Sequence, residues 1–288
     1  MIQILGFTIN ASLLSLLQTI EGSSSGDPVL NALYGINGTT GAGQKNPIPA
    51  LTAAEQNQTK EIATTAHQPQ IARDIAAFNS AVAAAKDPAT LLKNPAVMKV
   101  LLTANGLGDQ LAYPALVSKA LLSNVNDPTS LVNQLADTRW KTVVQTYDFA
   151  NRGLSVLQNP KVVSTLGNAY AEVAWRQSLD TTTPGLSNAL SFRQSAGSIT
   201  SVDQILGDPT LRTVITTTLG IPQQIAFQSL STQEQAIRSQ IDITKFKDPK
   251  FVENFTQRYL IAAGAASTTN STVSTLSTLA IQAQGLVV

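Results

Sequence analysis

The chain has 288 residues, 43% of them hydrophobic, enough to bury a core and to fill one large or two small domains. Charged residues make up only 13%, against roughly 25% in ordinary domains, and the net charge is +1 with no basic run, so the footprint that a nucleic-acid backbone selects is missing. The absence of cysteine excludes disulfides, thiolate metal sites and cysteine nucleophiles, and no run approaches the roughly 18 apolar residues of a membrane helix.

Residues 1–51 read as a weakly ordered N-terminal segment. No Lys or Arg precedes the apolar stretch Met1–Phe7, so no cleavable signal peptide is expected. Asn10 is placed to cap a short amphipathic helix with Leu13, Leu16, Leu17 and Ile20 on one face, ended by Gly22. In the Gly-rich stretch that follows, Gly22-Ser23-Ser24-Ser25-Gly26 has the wrong spacing for a nucleophile elbow. Gly38 to Lys45 has a superficial P-loop look, but Gln44 separates Gly43 from Lys45 and Asn46 stands where Ser or Thr is needed. A linker is the better reading.

Thr52-Ala53-Ala54-Glu55 reads as a capping box that opens a helical domain over 52–264. Ile71, Ile75, Phe78 and Val82 then recur at helical spacing as one buried stripe. Prolines punctuate the rest. Asp precedes Pro28, Pro88, Pro128, Pro209 and Pro249, and Asn precedes Pro47, Pro95 and Pro160. An Asx N-cap accepts an orphan N–H, and Pro at the next position has none to orphan, so each pair is a candidate helix start. Pro47 alone is set aside, as part of the Gly-rich loop. No alternating run long enough for a sheet is present, and the expected fold class is all-α, a multi-helix domain with weakly ordered ends.

Within that domain Leu91-Leu92-Lys93-Asn94-Pro95 matches Ile205-Leu206-Gly207-Asp208-Pro209, 114 residues on. The same offset carries Val97 to Leu211, Val100 to Val214, Leu101 to Ile215, Gly106 to Gly220 and Leu107 to Ile221. Each copy runs on to a second Asx-Pro start, at Asp127 and Asp248, and then to Arg139-Trp140 or Arg258-Tyr259. An internal duplication is expected, with halves at about 84–150 and 199–264, and a fainter third echo starts at Asn159-Pro160. Residues 265–288 form a Ser/Thr-rich tail with no Asp, Glu, Lys or Arg. Val273, Leu276, Leu279 or Ala280, Ala283 and Leu286 or Val287 share one helical face there, which is expected to order only against a partner helix.

The stretches Leu91 to Pro95, Gly106-Leu107, Asp127 to Leu131, Asp137 to Trp140, Asn188 to Phe192, Leu219 to Pro222 and Phe246 to Leu260 resemble an uncharacterised alphaproteobacterial domain family. It carries a domain-of-unknown-function label, and several members are encoded in flagellar gene clusters. The resemblance spans roughly Thr52 to Gly264. It implies an all-helical fold and a link to the flagellum, and it implies no chemistry.

The residues themselves offer little chemistry. His67 is the sole histidine, just before Gln68-Pro69, and no partner motif is visible for a triad or metal site. Asp180 and Asp242 lack acidic neighbours at metal-ligand spacing, and Asp208 and Asp248 serve better as caps. Arg139 and Arg258 are expected to lay their stems on the core and bond a helix C-terminal carbonyl, an anion site being the alternative. No catalytic, cofactor-binding or metal-binding residue is assigned, and no cofactor. The expected function is that of a non-enzymatic structural or accessory protein of the flagellum, located there by export or in the bacterial cytoplasm. Its partner is a protein, either a flagellar component or another copy, and neither nucleic acid nor a membrane span. A cytoplasmic helical adaptor or regulator is the alternative, and an enzyme of unrecognised type the third reading.

Overall fold

The structure, a computed structural model, describes residues 3–4, 7–8 and 46–284, with side-chain surroundings from 46 to 267. The chain divides into two units, Met1–Asn46 and Pro47–Val288. In the first, among the described residues, Gln3–Ile4 pairs antiparallel with Phe7–Thr8, Gln3 opposite Thr8 and Ile4 opposite Phe7. The expected helix from Asn10 to Gly22, the start at Asp27-Pro28 and the glycine-rich stretches Gly22 to Gly26 and Gly38 to Lys45 lie outside the described residues.

The second unit is all-α. In chain order its helices are α1 (Pro47–Ala66), α2 (Pro69–Ala84), α3 (Pro88–Leu91), α4 (Pro95–Ala104), α5 (Pro114–Leu121), α6 (Leu131–Gln134) and α7 (Arg139–Tyr147). They continue with α8 (Phe149–Arg152), α9 (Pro160–Leu179), α10 (Leu186–Ser195), α11 (Val202–Gly207), α12 (Pro209–Leu219), α13 (Leu230–Arg238) and α14 (Pro249–Gln284).

The Asx-Pro rule accounts for most of these starts. Asp87 accepts the Thr90 N–H at 2.8 Å, Asn94 that of Ala96 at 2.9 Å, Asn159 that of Lys161 at 2.9 Å, Asp208 that of Thr210 at 2.8 Å and Asp248 that of Lys250 at 2.9 Å. Three expectations about helix starts need correcting. Pro47 is not a loop residue but opens α1, so the capping box expected at Thr52 to Glu55 falls inside that helix. There the Thr52 hydroxyl donates back to Ile48 O at 3.2 Å, and Glu55 reaches Arg193 at 3.0 Å instead of a backbone N–H. Asp127-Pro128 does not start a helix. Asp127 Oδ1 takes both the N–H and the hydroxyl of Thr129, closing an Asx turn, and α6 waits until Leu131.

Two hydrophobic cores form. The first gathers Phe78 and Val82 of α2, Val97 to Leu102 of α4, Val117 and Leu121 of α5, and Trp140 to Tyr147 of α7. Ile71 and Ile75 of the predicted stripe pack on its edge. The second gathers Phe192 of α10, Val202 and Ile205 of α11, Leu211 to Ile215 of α12, and Phe246, Phe255, Tyr259 and Leu260. It also takes Leu51 and Ala54 of α1, so the first helix of this unit covers the later core. Helix α9 belongs to both, sending Leu166 and Tyr170 into the first core and Trp175 into the second.

Helices α4 and α12 end alike. Gly106 has φ +73° and Gly220 φ +66°. The N–H of Leu107 returns to Leu102 O at 2.8 Å and that of Ile221 to Thr216 O at 2.9 Å, the long bonds of two Schellman closures at matching positions. Helix α14 runs straight through the expected boundary at Gly264 to Gln284, 36 residues or roughly 54 Å. Once its first turns are pinned by Val252, Phe255, Tyr259 and Leu260, propagation through Ala, Ser, Thr and Leu needs no new nucleus.

Candidate functional site

Of the ionisable residues singled out from the sequence, Arg139 and Asp180 hold helices in place. Arg139, at the start of α7, donates Nη1–H to Gly106 O, Nη2–H to Asp109 Oδ2 at 3.1 Å and Nε–H to Asp137 Oδ1 at 3.0 Å, with Nη2 also 2.6 Å from Asp137 Oδ2. Each nitrogen of the fork is engaged, so the helix-end reading holds and an anion would have to displace a carboxylate. Burial opposes the charge, but Asp137 and Asp109 hold the guanidinium pKa above its usual value. Arg258 has no such setting and lies exposed on α14. The pair that matched in sequence is therefore not brought to matching roles.

The other candidates are equally local. Asp180 accepts from the Ser187 N–H at 2.9 Å and from its hydroxyl, tying down the start of α10. Asp242 closes an Asx turn on Thr244. His67 is exposed in the turn between α1 and α2. Among the described residues no group of three His, Cys, Asp or Glu could hold a metal ion.

Two polar clusters were not visible in the sequence because each joins distant segments. Asp74 of α2 receives Lys99 Nζ of α4 and the Tyr170 hydroxyl of α9, both at 2.6 Å, and Gln70 at 3.0 Å. Burial works against the Asp74 carboxylate, yet these donors hold its pKa below the ordinary value. Its hydrogen bond to Asp74 leads the causes that raise Lys99. Burial, then the same carboxylate, raises Tyr170. In the second cluster the buried Arg176 contacts Glu172, Ser191 at 3.2 Å and Gln194 at 2.9 Å, while Gln58 of α1 donates to Glu172 at 3.0 Å. Arg176 Nε is buried without a hydrogen-bond partner.

The surface carries a clearer signal. Among the described residues the exposed large apolar side chains are Leu111, Tyr113, Phe227 and Leu230, and Phe227 is 89% exposed. They fall in two segments that repeat at the offset already seen: Gln110-Leu111-Ala112-Tyr113-Pro114-Ala115-Leu116 and Gln224-Ile225-Ala226-Phe227-Gln228-Ser229-Leu230. Each follows a glycine closure through a short 3-10 turn, Gly108–Gln110 or Gln223–Phe227, and each leads into a helix, α5 or α13. The closures hold Leu107 and Ile221 in the cores and turn the next aromatic outward. The match traced from the sequence ends at Leu107 and Ile221. Extending the same offset by a few residues would have found the pattern.

A family described as a protein of unknown function, DUF1217, has a profile that matches residues 104–252, which include both exposed segments and Arg139. The X-ray structure of protein AGR_C_984 from Agrobacterium tumefaciens is similar, with a TM-score of 0.64, 22% identity, and coverage of 78% of this chain and 96% of that one. At that identity the likeness is one of fold. No curated protein matches the chain. The profile takes in just over half of the residues, and the chain belongs to the DUF1217 family.

Proposed function

We propose that this chain is a non-enzymatic accessory protein that works through protein–protein contacts made by the two exposed segments of a duplicated helical unit. The observation that carries the reading is that Leu111, Tyr113, Phe227 and Leu230 all lie in those segments. An aromatic held out by a closed helix end gives up the gain of burial, which a bound partner restores. The matching caps, glycine closures and exposed motif support a duplication. The non-enzymatic part is supported by where the charges go: Arg139, Asp180, Asp208 and Asp248 bind backbone or neighbouring side chains at helix ends. A flagellar setting rests on the family resemblance alone.

The test is a photo-crosslinking residue placed at Phe227, at Tyr113 and at the exposed Lys86 in the native host. Discrete crosslinked products from the first two positions and none from Lys86 are expected, and equal silence at all three would refute the contact role. If deletion of the gene leaves swimming unchanged, the flagellar version falls while the contact role stands.

A further inference from the structure

At the repeated segment both stretches project an aromatic, Tyr113 and Phe227, but the surfaces beside them differ. In the first half a concavity of about 610 Å3 opens beside the motif, lined by Leu92, Pro95, Met98, Leu111, Pro114 and Ala115 among others. In the second half the position matching Met98 is Arg212, half-buried, which donates Nη1–H at 3.2 Å to the carbonyl of Leu206, the counterpart of Leu92. Gln228 and Ser229 replace Pro114 and Ala115. A guanidinium thus stands where the first half has the Met98 thioether, and Phe227, 89% exposed against 59% for Tyr113, is the more prominent aromatic.

Resting on the contact role proposed above, we propose that Phe227 of one copy seats in the Met98–Leu111 concavity of a second copy, so that the chain self-associates head to tail. The volume admits a phenyl ring with its flanking residues. The lining suits one: Met98 offers a polarisable thioether, and Lys93, also in the lining, supplies a cation of the kind that aromatic faces attract. Nothing repels the approach, because Gln223 to Leu230 carries no charge and the whole chain has a net charge of +1. Knob and hole sit at different places on the chain, so each single contact leaves one knob and one hole free for a further copy.

The test uses the full chain and two surface variants, Phe227→Asp, which removes the knob, and Ala115→Arg, which blocks the hole from its exposed rim. Sedimentation velocity over a wide concentration range is expected to show the parent's mean mass climbing above 30.4 kDa. Each variant alone should weaken association by about thirtyfold or more, the factor a buried aromatic anchor carries. Mixed in equal amounts, the two should form a dimer that grows no further, since the mixture pairs one intact hole with one intact knob. A parent that stays monomeric, a Phe227→Asp chain that associates like the parent, or a mixture with no dimer would each overturn the proposal. If the parent is monomeric while a crosslinker at position 227 still captures a different protein, self-contact fails and the contact role survives. If neither is seen, both fall.

Discussion

The two cores are closed by matching helix ends but filled by different side chains. In the first core the large rings come singly or in pairs and most carry a polar handle: Tyr147 bonds Asn105, Tyr170 bonds Asp74, and Trp140 sits next to the Arg139 fork. The second core is held by a phenyl cluster, Phe192, Phe246, Phe251 and Phe255, with ring centroids 5.4 to 5.9 Å apart. The first core also has a charged latch from α7 onto the end of α4, whereas Arg258, which matches Arg139 in sequence, is exposed. Two helices can therefore share their end closures while the cores beside them differ, because caps are fixed by a few local bonds and a core only by volume.

The largest test of that contrast is Phe192→Ala, which removes the ring shared by Phe246 and Phe255 and should cost about 3–5 kcal/mol. Trp140 lies in the first core and Trp175 in the second, so Trp140→Phe and Trp175→Phe backgrounds report the cores separately in urea unfolding. Because α9 crosses both, the two reports should move together. A shift confined to the Trp175 signal would show two independent units.

Next is the latch. Arg139→Met leaves Asp137 and Asp109 without their cation and should cost roughly 2 kcal/mol, between the surface and buried extremes, since Asp109 is 40% exposed. Arg258→Met in the other half should be nearly silent in thermal unfolding. Smaller again are Gly106→Ala and Gly220→Ala. An added Cβ meets nothing within 4 Å at either site, so each loses only the left-handed strain, about 1 kcal/mol, and by equal amounts. Gly185→Ala should lose more than either, because at φ +83° its Cβ would stand 2.9 Å from Ala263 Cβ and Tyr259 Oη.

What could be read in advance was what local bonds decide. Asp87, Asn94, Asn159, Asp208 and Asp248 cap by side-chain reach within three residues, and Gly106 and Gly220 close helices by φ alone, so both patterns show in one dimension. Thr52 misled because a capping box inside a longer helix looks the same as one at its start, and Asp127 because an Asx turn uses the residues of a cap. The Asp74–Lys99–Tyr170 tie joins α2, α4 and α9, and nothing local marks it. The exposed aromatics were hidden for another reason. Tyr113 and Phe227 are hydrophobic residues in apolar neighbourhoods, and only the fold reveals that they face outward.

The smallest expected effect sets that partly buried tie against its nearest counterpart in the second core. Lys99→Met removes an ammonium 44% exposed, so the loss at neutral pH should stay below about 1 kcal/mol. Its pH dependence is the informative part. Asp74 is lowered in the folded chain, so its share of the stability is complete above the unfolded value of about 3.9 and is lost as pH falls through the lower folded value. Lys99 is raised, so its share is complete below about 10.4 and is lost as pH rises through the higher folded value. The parent's advantage over Lys99→Met, measured by urea unfolding, should form a plateau between those limits and decay on both sides. Tyr259→Phe removes a hydroxyl that Asn188 contacts at 3.3 Å, and burial, the leading cause, raises that phenol. Its loss should therefore be flat in acid, where no phenol titrates, and change only above about pH 10. An acid-side decay for Tyr259→Phe, or a flat acid limb for Lys99→Met, would mean that the carboxylate tie does not distinguish the first core from the second.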